Sequence, residues 1–475
     1  MSNGRSALLI LFLIPFFLLL IFALVFIKRF EGQPPVFQVM TPNGKYLGRS
    51  NTIQVKVRDL GMGLRSASLS LSQGDKTIPL FEQQYSDGPP LWKFWMSGQT
   101  KEQTITVATF EPRRQGLKEG EATLTGTATD WSWRQFLKGN VAKWQQAFTI
   151  DLTPPRLEVL TGPHYINQGG SEVLVYRVSP DAVASGIRVG DHLFPPCAER
   201  LAADPNLRFV IFAFSYDGSP DSTPIRAVAR DEAGNEIQVP FSYKIFPKKF
   251  RQDTLYLTEN FLTAKVPEIL SYSPEIKEQE SLINSYLEIN GKLRHFNNSK
   301  LAELSLRSAP QRLWREPFLQ LSNSQVEAAF ADHRTYYYKG EAVDRQVHLG
   351  FDLAAREHYA IEAANDGKVI FADYLGIYGQ AVVIDHGCGL CSIYGHMSAL
   401  GVKAGDTVKK GQAIGRSGAT GLAGGDHLHF SMILHGVQIN PIEWWDPHWI
   451  DKHLNDRLRP FESSPATSAG SNLPH

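Results

Sequence analysis

One long-range repeat restricts the first half of the chain to small β modules. Pro34-Pro35-Val36-Phe37-Gln38-Val39-Met40-Thr41 is matched by Pro154-Pro155-Arg156-Leu157-Glu158-Val159-Leu160-Thr161. Ile53-Gln54-Val55-Lys56-Val57 is matched by Val173 to Val178, and Gly63-Leu64-Arg65 by Gly186-Ile187-Arg188. Each copy closes alike, with Thr127-Ala128-Thr129-Asp130 against Val228-Ala229-Arg230-Asp231. The period is about 120 residues, too long for a solenoid unit and right for a domain. Short alternating strands between Gly, Pro and Asp turns read as β-sandwiches. Two immunoglobulin-like modules are expected, over 34–152 and 154–247, acting as spacers. Trp92, Trp95, Trp131 and Trp133 could form a sugar platform, although packing is the plainer role for them.

Ahead of the repeat, Ala7 to Ile27 carries no charge. As a helix it would be roughly 31 Å long, matching a bilayer core of about 30 Å. It ends in Phe26-Ile27-Lys28-Arg29 without the small-residue site of a cleaved signal peptide. The expectation is a transmembrane anchor over 1–30. Basic residues are nearly balanced across the run, so charge alone does not orient it.

Beyond the repeat, Glu275 to Arg294 has the apolar spacing of an amphipathic helix. Lys300 to Arg307 could add a short one capped by Ser299. Residues 250–318 are expected to be a helical connector, or a lid. After Trp449 the chain turns polar and Ser/Pro-rich, and 450–475 is expected to be a disordered tail. The 48 basic and 48 acidic residues cancel, so no basic excess points to a nucleic-acid partner.

The chemistry lies between these last two segments. His348-Leu349-Gly350-Phe351-Asp352, Tyr394-Gly395-His396 and His427-Leu428-His429 supply imidazole and carboxylate, ligand types that suit Zn²⁺. Three ligands would leave two histidines for proton transfer. His427 to Met432 alternates as a half-buried strand does, which turns both of its histidines to one face. His348 and Asp352 lie about 13 Å apart on a straight strand. They can share a metal only across a bend, which Gly350 permits.

In this order, and followed by Ile439-Asn440-Pro441, these motifs resemble the lysostaphin/LytM-type zinc endopeptidases, peptidase family M23. Gly379 to Gly387 and Val402 to Val408 also fit that family's core. The resemblance covers about residues 320–445. It implies a mainly antiparallel β-sheet metallopeptidase domain over 319–449, with one Zn²⁺ held by His348, Asp352 and His429. It also implies His396 and His427 as catalytic residues, and peptidoglycan as substrate, cleaved at amide bonds of its stems or cross-bridges. Such a hydrolase must face the wall, which places the anchor in the inner (cytoplasmic) membrane as a single pass, with the catalytic domain in the periplasm or outside the cell. The alternative is a non-catalytic or autoinhibited regulator of wall hydrolases, or a scaffold with envelope protein partners. The chain as a whole is thus expected to be mainly β and multidomain.

His333, His358, His386 and His435 have no such support and read as structural or surface residues. Tyr394 shares a strand face with His396 and reads as a packed tyrosine. Among three cysteines, Cys388 and Cys391 bracket a turn and are expected to pair in an oxidising compartment, leaving Cys197 unpaired.

Overall fold

A computed structural model describes residues 3–42, 44–89, 93, 96–201 and 204–462, with side chains from Leu13 onward. The chain is mainly β and forms two compact units, the first centred on residues 1–155 and the second holding most of 156–475.

In the first unit, Asn3–Arg29 is an α-helix. Its described side chains, Leu13 to Arg29, span about 25 Å, short of a bilayer core of about 30 Å. Among the described residues no helix is long and apolar enough to cross a membrane. The expected single-pass anchor, and the inner-membrane location inferred from it, are therefore corrected. The Ala7–Phe12 part of that run lies outside the described side chains. Arg29 is buried, donates to the Trp131 carbonyl at 3.3 Å and sits 5.2 Å from the Trp133 ring centre.

Val36–Thr41, Asn51–Arg58 and Glu102–Phe110 form one sheet of this unit, and Tyr46–Leu47, Val141–Ile150, Gly120–Asp130, Leu64–Gln73 and Lys76–Gln84 form the other. Alternate residues of both sheets meet in one core, among them Val55, Val57, Leu69, Leu71, Leu124 and Phe148. Trp131 packs tightly, since a Cβ on Gly88 or Gly98 would lie 2.5 or 2.7 Å from its ring. Trp92 and Trp95 lie outside the described residues.

The repeat is visible as a repeated pairing. Val36–Thr41 runs antiparallel to Asn51–Arg58 with Val36 opposite Arg58, and Leu157–Val159 runs antiparallel to Ser171–Val178 with Leu157 opposite Val178. The third strand of each sheet is Glu102–Phe110 in one copy and Leu207–Ala213 in the other.

The second unit also contains a large antiparallel sheet. Its strands run in the order Gln325–Ala328, Phe351–Ala354, Leu428–Leu434, Leu390–Met397, Gln380–Asp385, Gly367–Tyr374 and Thr407–Val408, with Val437–Ile439 beside Leu428–Leu434. The central strands are buried on both faces, so Leu428–Leu434 is not the half-buried strand that its alternation suggests.

One face is covered by residues 250–306. Gln252–Leu257 pairs in parallel with Asp332–Tyr338. A helix then runs from Glu259 to Tyr272, with the Thr258 hydroxyl accepting from the Phe261 amide as its cap. A second helical run starts at Leu282, capped by Ser281, and continues to Leu306 through a π-turn at Ile289–Leu293. Ser299 lies inside this run, because the π-turn carries the helix across the point where two helices are expected. Leu262, Val266, Ile269, Tyr286, Ile289 and Leu301 share one core with Ala381, Val383, Cys391, Ile393 and Ile433 of the sheet. The segment read as a connector or lid is thus packed into the sheet's own core.

Two further expectations change. Cys197 pairs with Cys388, Cα to Cα 5.1 Å, and Cys391 is the free buried cysteine. Cys391 lies on the strand that faces the helical core, whereas Cys388 sits in the preceding turn at φ +55°. Residues 450–461 are helical, not disordered, with Ile450, Leu454 and Leu458 buried. Residues 463–475 lie outside the description.

Candidate metal centre

The five residues singled out in the sequence converge on one cleft of about 400 Å³. His348 ends the strand Glu341–His348 and Asp352 lies in Phe351–Ala354, and these two strands belong to different sheets. The chain therefore leaves one sheet for another between them, instead of bending within a strand. Gly350 matters for space. A Cβ there would lie 2.7 Å from the His429 ring and from the Phe430 carbonyl oxygen.

His348 Nε2, Asp352 Oδ1 and His429 Nδ1 form a triangle with every side 3.0 Å. Ligands about 2.0–2.1 Å from a tetrahedral ion lie about 3.3 Å from one another. The triangle is only slightly tighter, so the three atoms fit a shared cation. Each His348 and Asp352 partner supports this arrangement. His348 Nδ1 donates to the Ala329 carbonyl at 3.1 Å, which leaves Nε2 as the ligating nitrogen. Arg334 donates to Asp352 Oδ2 at 2.8 Å, leaving Oδ1 for the triangle. Among the described residues His429 Nε2 is buried without a hydrogen-bond partner, so packing against Gly350 and the Tyr378 ring, 5.3 Å away, orients that imidazole.

Burial alone would raise the Asp352 carboxyl, but the charge and hydrogen bonds of the surrounding histidines hold it well below the usual carboxylate range. Burial pushes His429 down to about 4 despite the opposing pull of Asp352. At neutral pH both are in their ligating forms, a carboxylate and a neutral imidazole.

The other two histidines stand beside this triangle. The His396 and His427 rings are 4.9 Å apart, and His396 is 5.7 Å from His429. His396 Nδ1 donates to the Thr420 carbonyl at 2.8 Å and His427 Nδ1 to the Gly425 carbonyl at 2.9 Å. In both rings Nε2 is therefore the basic nitrogen. His427 Nε2 is 3.5 Å from Asp352 Oδ1. His396 adopts φ +60° where the register of its strand with Gln380–Asp385 shifts. Bulges of this kind redirect a side chain, and a non-glycine residue there costs about 1–3 kcal/mol.

The remaining histidines behave otherwise. His386 is fully buried, with Nδ1 at 2.7 Å from the Asp366 carbonyl and Nε2 at 2.7 Å from Ser392 Oγ. It bridges core groups, as a structural residue. Tyr394 is buried and its hydroxyl accepts from the Ala364 amide at 2.7 Å. Arg334 was not evident as a site residue, and its sequence context, amid Asp332–Tyr338, carries no signal that distinguishes it.

Convergent histidine and carboxylate lone pairs where two sheets meet make a centre able to hold a metal ion. Residues 346–441 match the model of Peptidase family M23, and the C-terminal part of the chain is a domain of that family. Over 97 residues the chain is 37% identical to the DD-carboxypeptidase/endopeptidase Mpg of Neisseria meningitidis, covering 20% of this chain and 22% of that protein. It is 38% identical over 111 residues to the murein hydrolase activator EnvC of Escherichia coli, covering 23% and 26%. With the peptidoglycan DD-endopeptidase ShyC of Vibrio cholerae it shares 33% identity over 132 residues, covering 27% and 30%. The chain thus spans less than a third of the length of each of these relatives.

Proposed function

We propose that this chain is a zinc-dependent endopeptidase that hydrolyses amide bonds in the peptide stems or cross-bridges of peptidoglycan. The 3.0 Å triangle of His348, Asp352 and His429 carries this reading. Its mixed imidazole and carboxylate donors suit Zn²⁺ better than an all-oxygen cation. Zinc held there would supply Lewis acidity, polarising a scissile carbonyl and bringing the pKa of water near 7.

The protein's own side chains do the rest. His396 and His427 present basic Nε2 atoms to the cleft, anchored through Nδ1 to backbone carbonyls. One withdraws a proton from the attacking water, and the other donates a hydrogen bond to the developing oxyanion or a proton to the leaving amine. Arg334 and the Ala329 carbonyl hold Asp352 and His348 in place and take no proton. The modules over 34–152 and 154–247 are immunoglobulin-like spacers, and residues 250–318 form a wall of the catalytic domain over 319–449.

One relative is named as a hydrolase activator, which supports a second reading as a non-catalytic regulator of another wall hydrolase. The complete set of five side chains in one cleft favours the enzyme.

The full chain, assayed for bound metal and incubated with purified peptidoglycan, separates the two. Release of amine-terminated peptides that stops on chelation and resumes with zinc is expected. A zinc-loaded chain that releases nothing, yet stimulates a second hydrolase, would establish the activator instead.

A further inference from the structure

The cleft is lined by the metal-centre residues and also by the helical run, which contributes Arg294 and Asn298. Arg294 stands where that run changes register. Its backbone N–H reaches back to the Ile289 carbonyl, the longer step of a π-turn. This frees the Asn290 carbonyl, which accepts from Arg294 Nε at 3.1 Å, while Asn290 Oδ1 accepts from Nη2 at 2.5 Å. Single π-turns inside helices recur at functional sites. Here the turn holds a guanidinium in one orientation using only neutral acceptors.

Of the other charged groups lining the cleft, Arg334, Asp352 and Asp253 are paired, and Glu327 forms no ion pair among the described residues. Arg334 is matched by Asp352 at 2.8 Å, and Asp253 by Arg251 at 3.4 Å. Among the described residues no carboxylate forms an ion pair with Arg294, although it is half-buried. Asn298 is fixed by the Tyr378 hydroxyl, which donates to its Oδ1 at 2.9 Å and leaves the amide nitrogen unused in that bond. Tyr286 and Tyr336 are buried in the same wall, so a charge entering there loses water and gains from any fixed donor. A guanidinium with free N–H groups presents a planar fork that matches a carboxylate.

We propose that Arg294, with Asn298, forms a carboxylate-binding subsite that selects peptides bearing a free carboxylate beside the bond presented to the metal centre. This rests on the peptidase reading given above. A guanidinium that merely stapled its own helix would affect stability but not the choice of substrate.

The test uses the zinc-loaded full chain and two synthetic stem-type peptides that differ only in one carboxylate or its amide. Binding is measured by calorimetry and cleavage by product release. Wild type should favour the carboxylate peptide roughly tenfold to a hundredfold in affinity. Arg294→Gln should abolish that preference by weakening the carboxylate peptide alone, with metal content unchanged and a lower Tm from the lost bonds to Asn290, and Arg294→Lys should restore part of the preference. Lack of preference in wild type, through equal binding or none, overturns the subsite, as does a preference retained in Arg294→Gln. If Arg294→Gln does not fold, Asn298→Ala and the wild-type preference still decide. A binding preference without cleavage would sink the peptidase reading and keep the subsite, while equal cleavage of both peptides would do the reverse.

Discussion

Glu172 and Asp352 are both buried carboxylates surrounded by histidine and arginine, yet their neighbourhoods differ in kind. Glu172 receives His453 at 3.0 Å and the Arg457 guanidinium at 3.2 Å, and also the Val173 amide at 2.8 Å. Close by in the fold, Glu443 accepts from Asn167 Nδ2 and from the amide and hydroxyl of Ser171. In these places each carboxylate is met by donors and needs no added ligand, although Arg457 Nε and His164 Nδ1 beside Glu172 make no hydrogen bond among the described residues. At Asp352 the Oδ1 oxygen faces the nitrogens of His348 and His429 at 3.0 Å, with few protons to share among them. Such an excess of lone pairs is stabilised by an added cation. The donor-to-acceptor balance, more than the presence of histidine, separates a functional cluster from a structural one.

The contrast breaks most sharply at the metal centre itself. His429→Ala should lose bound metal and all activity together. His427→Ala should retain the metal while turnover falls roughly 10²–10⁴-fold. Metal analysis beside a peptidoglycan assay checks both, and loss of metal in His427→Ala would show that the two histidines are not divided in role.

The complete cluster should fail differently. Glu443→Ala leaves the donors of Asn167 and Ser171 buried without an acceptor and should destabilise the fold by about 3–5 kcal/mol. Denaturant unfolding would register this while the metal content of the folded fraction stays the same.

Protonation offers a gentler probe. Burial pushes His386 down to about 4, and the same cause takes His435 to about 4. An unfolded histidine titrates near 6.5. Between these values the unfolded chain binds a proton that the folded one refuses. Stability is therefore complete above about pH 6.5 and declines toward pH 4, by about 3 kcal/mol for His386. Replacing His386 with Asn should flatten that slope by one proton's worth in unfolding curves taken across the window.

The smallest effect concerns a positioning residue. Arg334→Ala should weaken metal affinity about 10–100-fold without abolishing binding, as read from competition with a chelator. An unchanged affinity would mean that Asp352 needs no help in presenting Oδ1.

The metal-type centre was legible in the sequence because its five residues lie in short motifs whose order is itself informative. Arg334 was not, since a lone arginine on a strand says nothing of the carboxylate that it will meet. The cysteine pairing followed proximity in the chain, whereas Cys391 is turned into the helical core and Cys388 meets a residue from a distant module. The helix Glu259–Tyr272 went unread, in part because Pro267 interrupts its pattern. The apolar N-terminal run was legible as a helix, but its length did not establish a membrane span.

The shared core of residues 250–306 and the central sheet has a practical side for anyone who wishes to transplant the catalytic activity. A boundary drawn at Leu319, where the family resemblance begins, would strip the partner strand from Asp332–Tyr338 and lay Ala381, Val383, Ile393 and Ile433 bare to water. A portable version of this domain has to begin before Gln252, and it carries its substrate-facing wall with it.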